Sequence, residues 1–257
     1  MGKAVTSFLA AAALVLAAAP TLVAQDGPRF VQVEEFDVSP GTAPQFEAAI
    51  AKAVEAANQA SLAGEFGWST YQDGSKYHIV TWHQSMGNLD DEMLWQRQFV
   101  GTPGEALLGE AFAMFAEVQA SGSSHIAEAV PEWTYEPENG LDGDDAVGAV
   151  VFRDWVEFSQ QEAFDANTKE LIALLGEMDF PYPVYGHRVR VGDIGQCYFV
   201  VLHDGLDHFY GDKSIEKFIE AAGVGEKWGT AMQARGPMMR STDSFNVAYR
   251  EDLSYHR

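Results

Sequence analysis

The sequence predicts an α+β fold in which one β-α-β-β-α-β unit is written twice, the two copies packing sheet to sheet as a pseudo-dimer within a single chain. Three observations predict it. Residues 136–146, an acidic stretch containing Gly and Pro, separate two segments of similar length, as an exposed linker does. Each segment opens with a β-rich run that leads into an amphipathic helix. Each continues with two strand-like runs about a tight turn and a second helical region. With 47% hydrophobic and 12% aromatic residues in a chain of 257, there is apolar surface enough to bury a core. The length suits one large or two small domains.

The elements follow in order. Opening strands are expected over 30–36 and 149–156, from the runs FVQVEEF and AVVFRDWV. Thr42 with Gln45, and Ser159 with Glu162, have the spacing of a capping box, in which a hydroxyl and a residue three later satisfy free amides at a helix start. Phe46, Ala49, Ile50, Ala53, Val54 and Ala57 then recur at three-and-four spacing, which makes one apolar stripe on a helix. Phe164, Thr168, Leu171, Ile172 and Leu175 repeat it, with Gly64 and Gly176 as exits.

Strand runs at 66–71 and 77–82 flank Gln72-Asp-Gly-Ser-Lys76, a hairpin signal. Runs at 184–191 and 196–202 flank Gly192-Asp-Ile-Gly195. Helical stretches are expected at about 92–119 in the first copy, and at about 206–221 and 224–235 in the second. Short closing strands are placed at 132–135 and 244–249, and 119–125 reads as a flexible loop. Phe46-Glu47-Ala48 parallels Phe164-Asp165-Ala166, and Tyr77…Val80 parallels Tyr198…Val201. This element order is the ferredoxin-like, or split βαβ, unit.

Residues 1–24 differ in kind. Lys3 precedes an uncharged, Ala- and Leu-rich stretch that ends in small residues before Gln25-Asp26, the pattern of a secretory leader cut between Ala24 and Gln25, set against an uncleaved N-terminal anchor that the stretch is just long enough to form. The divisions expected are therefore a leader over 1–24, a first repeat over 25–135, a linker over 136–146 and a second repeat over 147–257. The protein is expected to be exported, periplasmic or extracellular, and without a stable membrane anchor once cut. Cys197, the single cysteine, has no intrachain partner and reads as a buried strand residue.

The charge is −22, from 38 acids against 16 bases. That excludes a nucleic-acid partner in the absence of any basic cluster. Residues 25–140 hold 18 acids and 4 bases, and residues 141–257 hold 20 and 11. If an anionic small ligand binds, it is therefore expected in the second unit.

The element order, Ser39-Pro40-Gly41 followed by Phe46 and an Ala-rich helix, and the central hairpin resemble the dimeric α+β barrel superfamily. That group includes antibiotic-biosynthesis-monooxygenase-like and NIPSNAP-like domains and chlorite-dismutase-like proteins. The second copy departs from the pattern, with Phe158-Ser159-Gln160 where the first has Pro-Gly. The resemblance implies an α+β barrel whose members include cofactor-independent oxygenases and haem enzymes; it does not choose among them.

Candidate chemistry centres on the histidines. His203-Asp204-Gly-Leu-Asp207-His208 places two imidazoles and two carboxylates at a strand-to-helix junction. His203, Asp204 and His208 are therefore candidate ligand-binding groups, set against a plain polar turn in which an Asp caps the helix. His83 ends the corresponding strand of the first copy. His78 and His187 read as half-buried strand residues, and His256 as solvated. In a cofactor-free oxygenase, Tyr71, Trp82 and His83 would orient an electron-rich substrate and abstract a proton.

No cofactor is predicted. Haem, implied by the resemblance, would need His203 or His208 as axial ligand, in a cavity lined by such residues as Trp95, Phe99, Phe112, Met114, Phe115, Phe209, Phe218, Trp228 and Met232. At helical spacing these residues read first as ordinary core. No metal site is expected: the linker aspartates 142, 144 and 145 lack the Gly and Glu of an EF-hand loop. The absence of a Gly-x-Ser-x-Gly elbow and of a phosphate loop argues against nucleophilic hydrolysis and nucleotide binding. The expected function is that of an exported acidic barrel binding a small apolar or weakly anionic ligand without obvious catalysis. The alternative is a small-molecule monooxygenase or haem-dependent oxidoreductase. Either works as a monomeric pseudo-dimer or as a homo-oligomer.

Overall fold

The computed structural model describes residues 30–61, 67–86 and 95–256. The leader, its Ala24–Gln25 junction and the Gly64 helix exit lie outside the described residues. Apolar residues in the opening run alternate with polar ones, and this becomes β1 (Phe30–Val38), followed by α1 (Ala43–Ala60), β2 (Trp68–Asp73) and β3 (Lys76–His83). Then come α2 (Glu105–Phe115) and β4 (Ala120–Ala129). The second unit repeats the order with β5 (Gly148–Val156), α3 (Gln161–Glu177), β6 (Val184–Val191) and β7 (Gln196–His203). It ends with α4 (Leu206–Tyr210), α5 (Ile215–Ala222), α6 (Gly225–Arg235) and β8 (Met239–Tyr249).

Each unit forms a four-stranded sheet, and the two sheets join at both edges. The closed order is β1-β3-β2-β8-β5-β7-β6-β4, with β2 against β8 and β4 against β6. The expected sheet-to-sheet pseudo-dimer is thus present as a barrel. Its inner faces oppose one another, and edge pairing removes the open strand edges that two separate sheets would expose. Residues 136–146 carry no strand; continuity comes from the edges.

Two crossed segments reinforce the joints. Tyr135 bridges to Val184 of the second unit, and Tyr255 bridges to Trp68 of the first. Trp68 Nε1 also donates to the Leu253 carbonyl at 2.9 Å. The run 132–135, expected as a closing strand, is therefore a 3-10 turn over Pro131–Trp133 followed by this crossing bridge.

The true fourth strand, 120–129, corrects the flexible loop expected at 119–125. The segment ASGSSHIAEA has little intrinsic β preference. It is a strand because β1 and β6 hold its backbone from both sides, and because small residues suit the site. A Cβ on Gly122 would sit 3.3 Å from the Glu35 carbonyl.

Helix ends also differ from expectation. Neither capping box forms: Thr42 Oγ1 donates to the Ser39 carbonyl at 3.2 Å, and Ser159 lies in a 3-10 turn ahead of α3. Gly176 lies inside α3, and Asp179 takes the left-handed conformation beyond it. Of the helix expected at about 92–119, residues 92–94 lie outside the described residues, and the remainder holds a 3-10 turn at Trp95–Phe99 and α2. Between them α1 passes so close that a Cβ on Gly104 would lie 2.1 Å from the Ala56 carbonyl.

Side-chain alternation sorts the barrel. Val31, Val33 and Glu35 of β1 face inward, while Phe36 and Val38 face outward onto Phe46 and Ile50 of α1. The second unit's outer layer packs Trp133, Phe164, Phe199, Phe180 and Tyr182 between sheet and helices. Cys197 is buried there, and its thiol is pushed up to about 12 by burial, as an inert core residue should be.

Pairing of Phe30 with His83 and of Gly148 with His203 sets the internal equivalence. It places Tyr77 on Cys197 and His78 on Tyr198. The parallel of Tyr77 with Tyr198 is one residue out of step, and a one-residue slip in a strand exchanges faces.

Candidate ligand chamber inside the barrel

The inner faces enclose a cavity of about 440 Å³. Its walls are mainly aliphatic, with Val31, Val33, Val80, Val151, Val200 and Leu202 contributed by four strands. This follows from period-two alternation: in a barrel every second residue of each strand points to the interior. Linker residues Glu136 to Gly143 lie across one end, where Leu141 N donates to the Pro181 carbonyl at 2.8 Å.

Tyr71 and Trp82, two of the three predicted proton-handling residues, stand on this wall. Trp82 contacts His187 with ring centroids 6.0 Å apart. His83 does not join them: it follows Trp82 on the strand, so it faces outward beneath the helical layer, where it is buried. Burial pushes the Tyr71 hydroxyl up to about 12 and the His187 imidazole down to about 4, so both are neutral near pH 7.

At the opposite end a polar layer crosses the barrel. Glu35 and Arg153 occupy equivalent positions in the two units and meet, with Nη1 3.5 Å from Oε1. Arg153 also grips Asp243 through two bonds of 2.9 and 2.6 Å. His78 Nδ1 lies 3.5 Å from the same Glu35 oxygen. His78 stacks on Phe245 (5.2 Å, 14°), and its equivalent Tyr198 stacks on His125 (4.9 Å, 4°). The two stacks are related by the internal pseudo-twofold. Nε2 of both His78 and His125 is buried without a hydrogen-bond partner. Glu35, His78 and Phe245 line both the chamber and a second cavity outside it, which also carries Asp37, Asp73 and Lys76.

The neighbouring His78 imidazole, together with the Arg153 guanidinium, holds the Glu35 carboxyl below the usual range against the opposing effect of burial. This group was missed as a site because its members are spread over six strands far apart in sequence. The detectable signal was Glu35, a charge at an inward position of an otherwise apolar strand face.

His203, Asp204 and His208 do not converge. His203 is on the outer face of β7; its Nδ1 accepts from Gly205 N at 3.2 Å, and a Cβ on Gly148 would lie 3.4 Å from its Nε2. Asp204 turns to Tyr182 (2.8 Å), Lys213 (2.5 Å) and His208 (3.3 Å). Burial works against its charge, but the bonds from Lys213 and Tyr182 prevail and hold it at about 2. His208 is half exposed. These residues do not fit haem as axial ligands: the Nε2 of His203 faces the sheet backbone, and the neighbouring space holds Phe180, Tyr182, Phe209 and Phe218. Phe99, Phe115 and Trp228 are likewise packed as core, while Phe112 and Met232 are exposed. Among the described residues no three His, Cys, Asp or Glu side chains are grouped as metal ligands, and no helix is long and apolar enough to cross a membrane.

Two ferredoxin-like units closing one barrel define the class: the chain has the dimeric α+β barrel fold, with both halves in a single polypeptide. Solved structures of the same architecture agree. A candidate monooxygenase from Lactobacillus acidophilus NCFM superposes with TM-score 0.55 at 10% identity, over 90% of this chain and 97% of that one. An anthrone oxidase-like protein gives 0.54 at 15% identity, over 87% and 92%. A mutant chlorite dismutase from Candidatus Nitrospira defluvii gives 0.53 at 12%, over 88% and 94%. At these identities the likeness is one of fold. No family model and no curated protein matches the sequence.

Proposed function

We propose that this exported protein binds a small, largely apolar and weakly acidic organic molecule inside its barrel. The observation that carries the reading is the chamber of about 440 Å³, aliphatic along its length and ending on the Glu35–His78–Arg153 layer. An apolar cleft of that order with a few convergent polar groups is the usual form of a small-molecule site. Isothermal titration with a panel of hydroxyarenes tests it. Saturable binding is expected, and filling the chamber by Val200→Phe should weaken it more than tenfold. Affinity unchanged in that variant would place the ligand elsewhere.

A second reading, a cofactor-independent monooxygenase, is favoured by Tyr71 and Trp82 standing together on the chamber wall. The fold shared with a candidate monooxygenase and an anthrone oxidase-like protein supports it. Oxygen uptake that follows addition of an electron-rich hydroxyarene, and that falls at least tenfold in Trp82→Phe, is the expected result. Binding without uptake would leave the protein a carrier.

A further inference from the structure

We propose that His78, oriented by Glu35, is the proton acceptor of the chamber for a ligand bearing a weakly acidic O–H group. The proposal rests on the reading of the barrel interior as the binding site. Both side chains line the chamber. Nδ1 of His78 lies 3.5 Å from Glu35 Oε1, an oxygen that is itself buried without a hydrogen-bond partner among the described residues; closing this gap with the proton on Nδ1 leaves the lone pair on Nε2. This nitrogen is buried with no hydrogen-bond partner among the described residues, and the ring stacks on Phe245. A buried imidazole nitrogen left unmatched is costly unless a ligand uses it. The 3.5 Å contact has the looseness of acid–base pairs that tighten when a ligand is bound.

The groups around His78 leave it as the acceptor. Burial raises the hydroxyls of Tyr71 and Tyr198, so both stay protonated, and burial lowers His125. Arg153 is occupied by Asp243 and Glu35. His125 is stacked on Tyr198.

In the step itself the ligand O–H bond breaks and an Nε2–H bond forms, with the electron pair remaining on the ligand oxygen. The imidazolium is held by Glu35, and no oxidant or reductant is consumed. Nothing in the sequence pattern announces this pair, because residues 35 and 78 become neighbours only through the β1–β3 register, which sets Glu35 opposite His78.

The test uses 4-nitrophenol, whose phenolate and neutral forms absorb at different wavelengths, and its methyl ether 4-nitroanisole, which has no proton to give. At a pH below the phenol's own solution pKa, the bound phenol should show the phenolate band. In H78Q and E35Q that band should be lost and phenol affinity should fall about tenfold, the equivalent of one pKa unit. Both variants should still bind 4-nitroanisole saturably, which also shows that they fold. If wild-type protein binds both probes but the phenol stays neutral, or if the phenolate band survives in H78Q, the dyad is wrong while the chamber stands. If neither probe binds, the chamber reading falls and the dyad with it.

Discussion

Glu35 and Arg153 illustrate how a duplicated position acquires unlike chemistry. The two residues are equivalent by register, carry opposite charges, and meet at 3.5 Å across the barrel interior. Their partners diverge in the same way, with His78 in one unit and Tyr198 in the other. A different buried pair, Asp154 and Arg235, lies on the outer face at 2.7 Å, with both side chains 7% exposed. Arg235 also donates to Thr168 at 3.0 Å and lies over Phe164 at 4.0 Å. Removing one member leaves the other charged and buried, so Arg235→Met should cost about 3–5 kcal/mol. Chemical denaturation would show this, and the double change with Asp154→Leu should recover most of the loss.

His187 gives a pH prediction. Burial lowers its pKa from 6.5 to about 4 in the folded protein. Between those values the unfolded chain binds a proton that the folded one does not. Stability is therefore full above pH 6.5 and is lost as pH falls toward 4. A shift of this size amounts to about 3 kcal/mol. His187→Leu should flatten the dependence of Tm on pH between 7 and 4; an unchanged slope would assign the titration to another group.

At the scale of elements, close backbone approach does what propensity does not. The α1–α2 contact depends on Gly104, where a Cβ would meet the Ala56 carbonyl at 2.1 Å. Gly104→Ala should destabilise by about 1–3 kcal/mol, read as a lowered Tm, whereas Gly109→Ala, where a Cβ meets nothing within 4 Å, should be neutral or better. The β2–β3 hairpin was legible because Gly74, with φ 59, sits at the first central turn position between Asp73 and Lys76. The helices were legible from their apolar stripes: Phe46, Ile50 and Ala53 are buried as the spacing demands. β4 was not, since ASGSSHIAEA signals no strand and owes its conformation to partners distant in sequence. Tyr71 and Trp82 line the chamber together, whereas His83, matched in sequence to His203, is one residue beyond Trp82 and so on the other face of the strand.

For the whole molecule, closure decides oligomeric behaviour. Each unit alone would expose two strand edges, which pair readily with other chains; in the intact chain β2–β8 and β4–β6 satisfy them. A protease site inserted between Gly140 and Leu141 should therefore yield two halves that stay associated on gel filtration and separate only in denaturant. Separation under native conditions would show that the linker, not the edges, holds the barrel together.

Sequence alone determined the repeated β-α-β-β order and the amphipathic helices, because these follow from local periodicity and from turn chemistry within a few residues. It also determined the strong acidity that bears on partners. Only the tertiary structure decided that the sheets join at their edges and which residues face the enclosed space. It also decided that Glu35, His78, His125 and Arg153 form one layer. The reason is register: strand pairing brings together side chains far apart in sequence, and a shift of one residue would send each to the opposite face of the sheet.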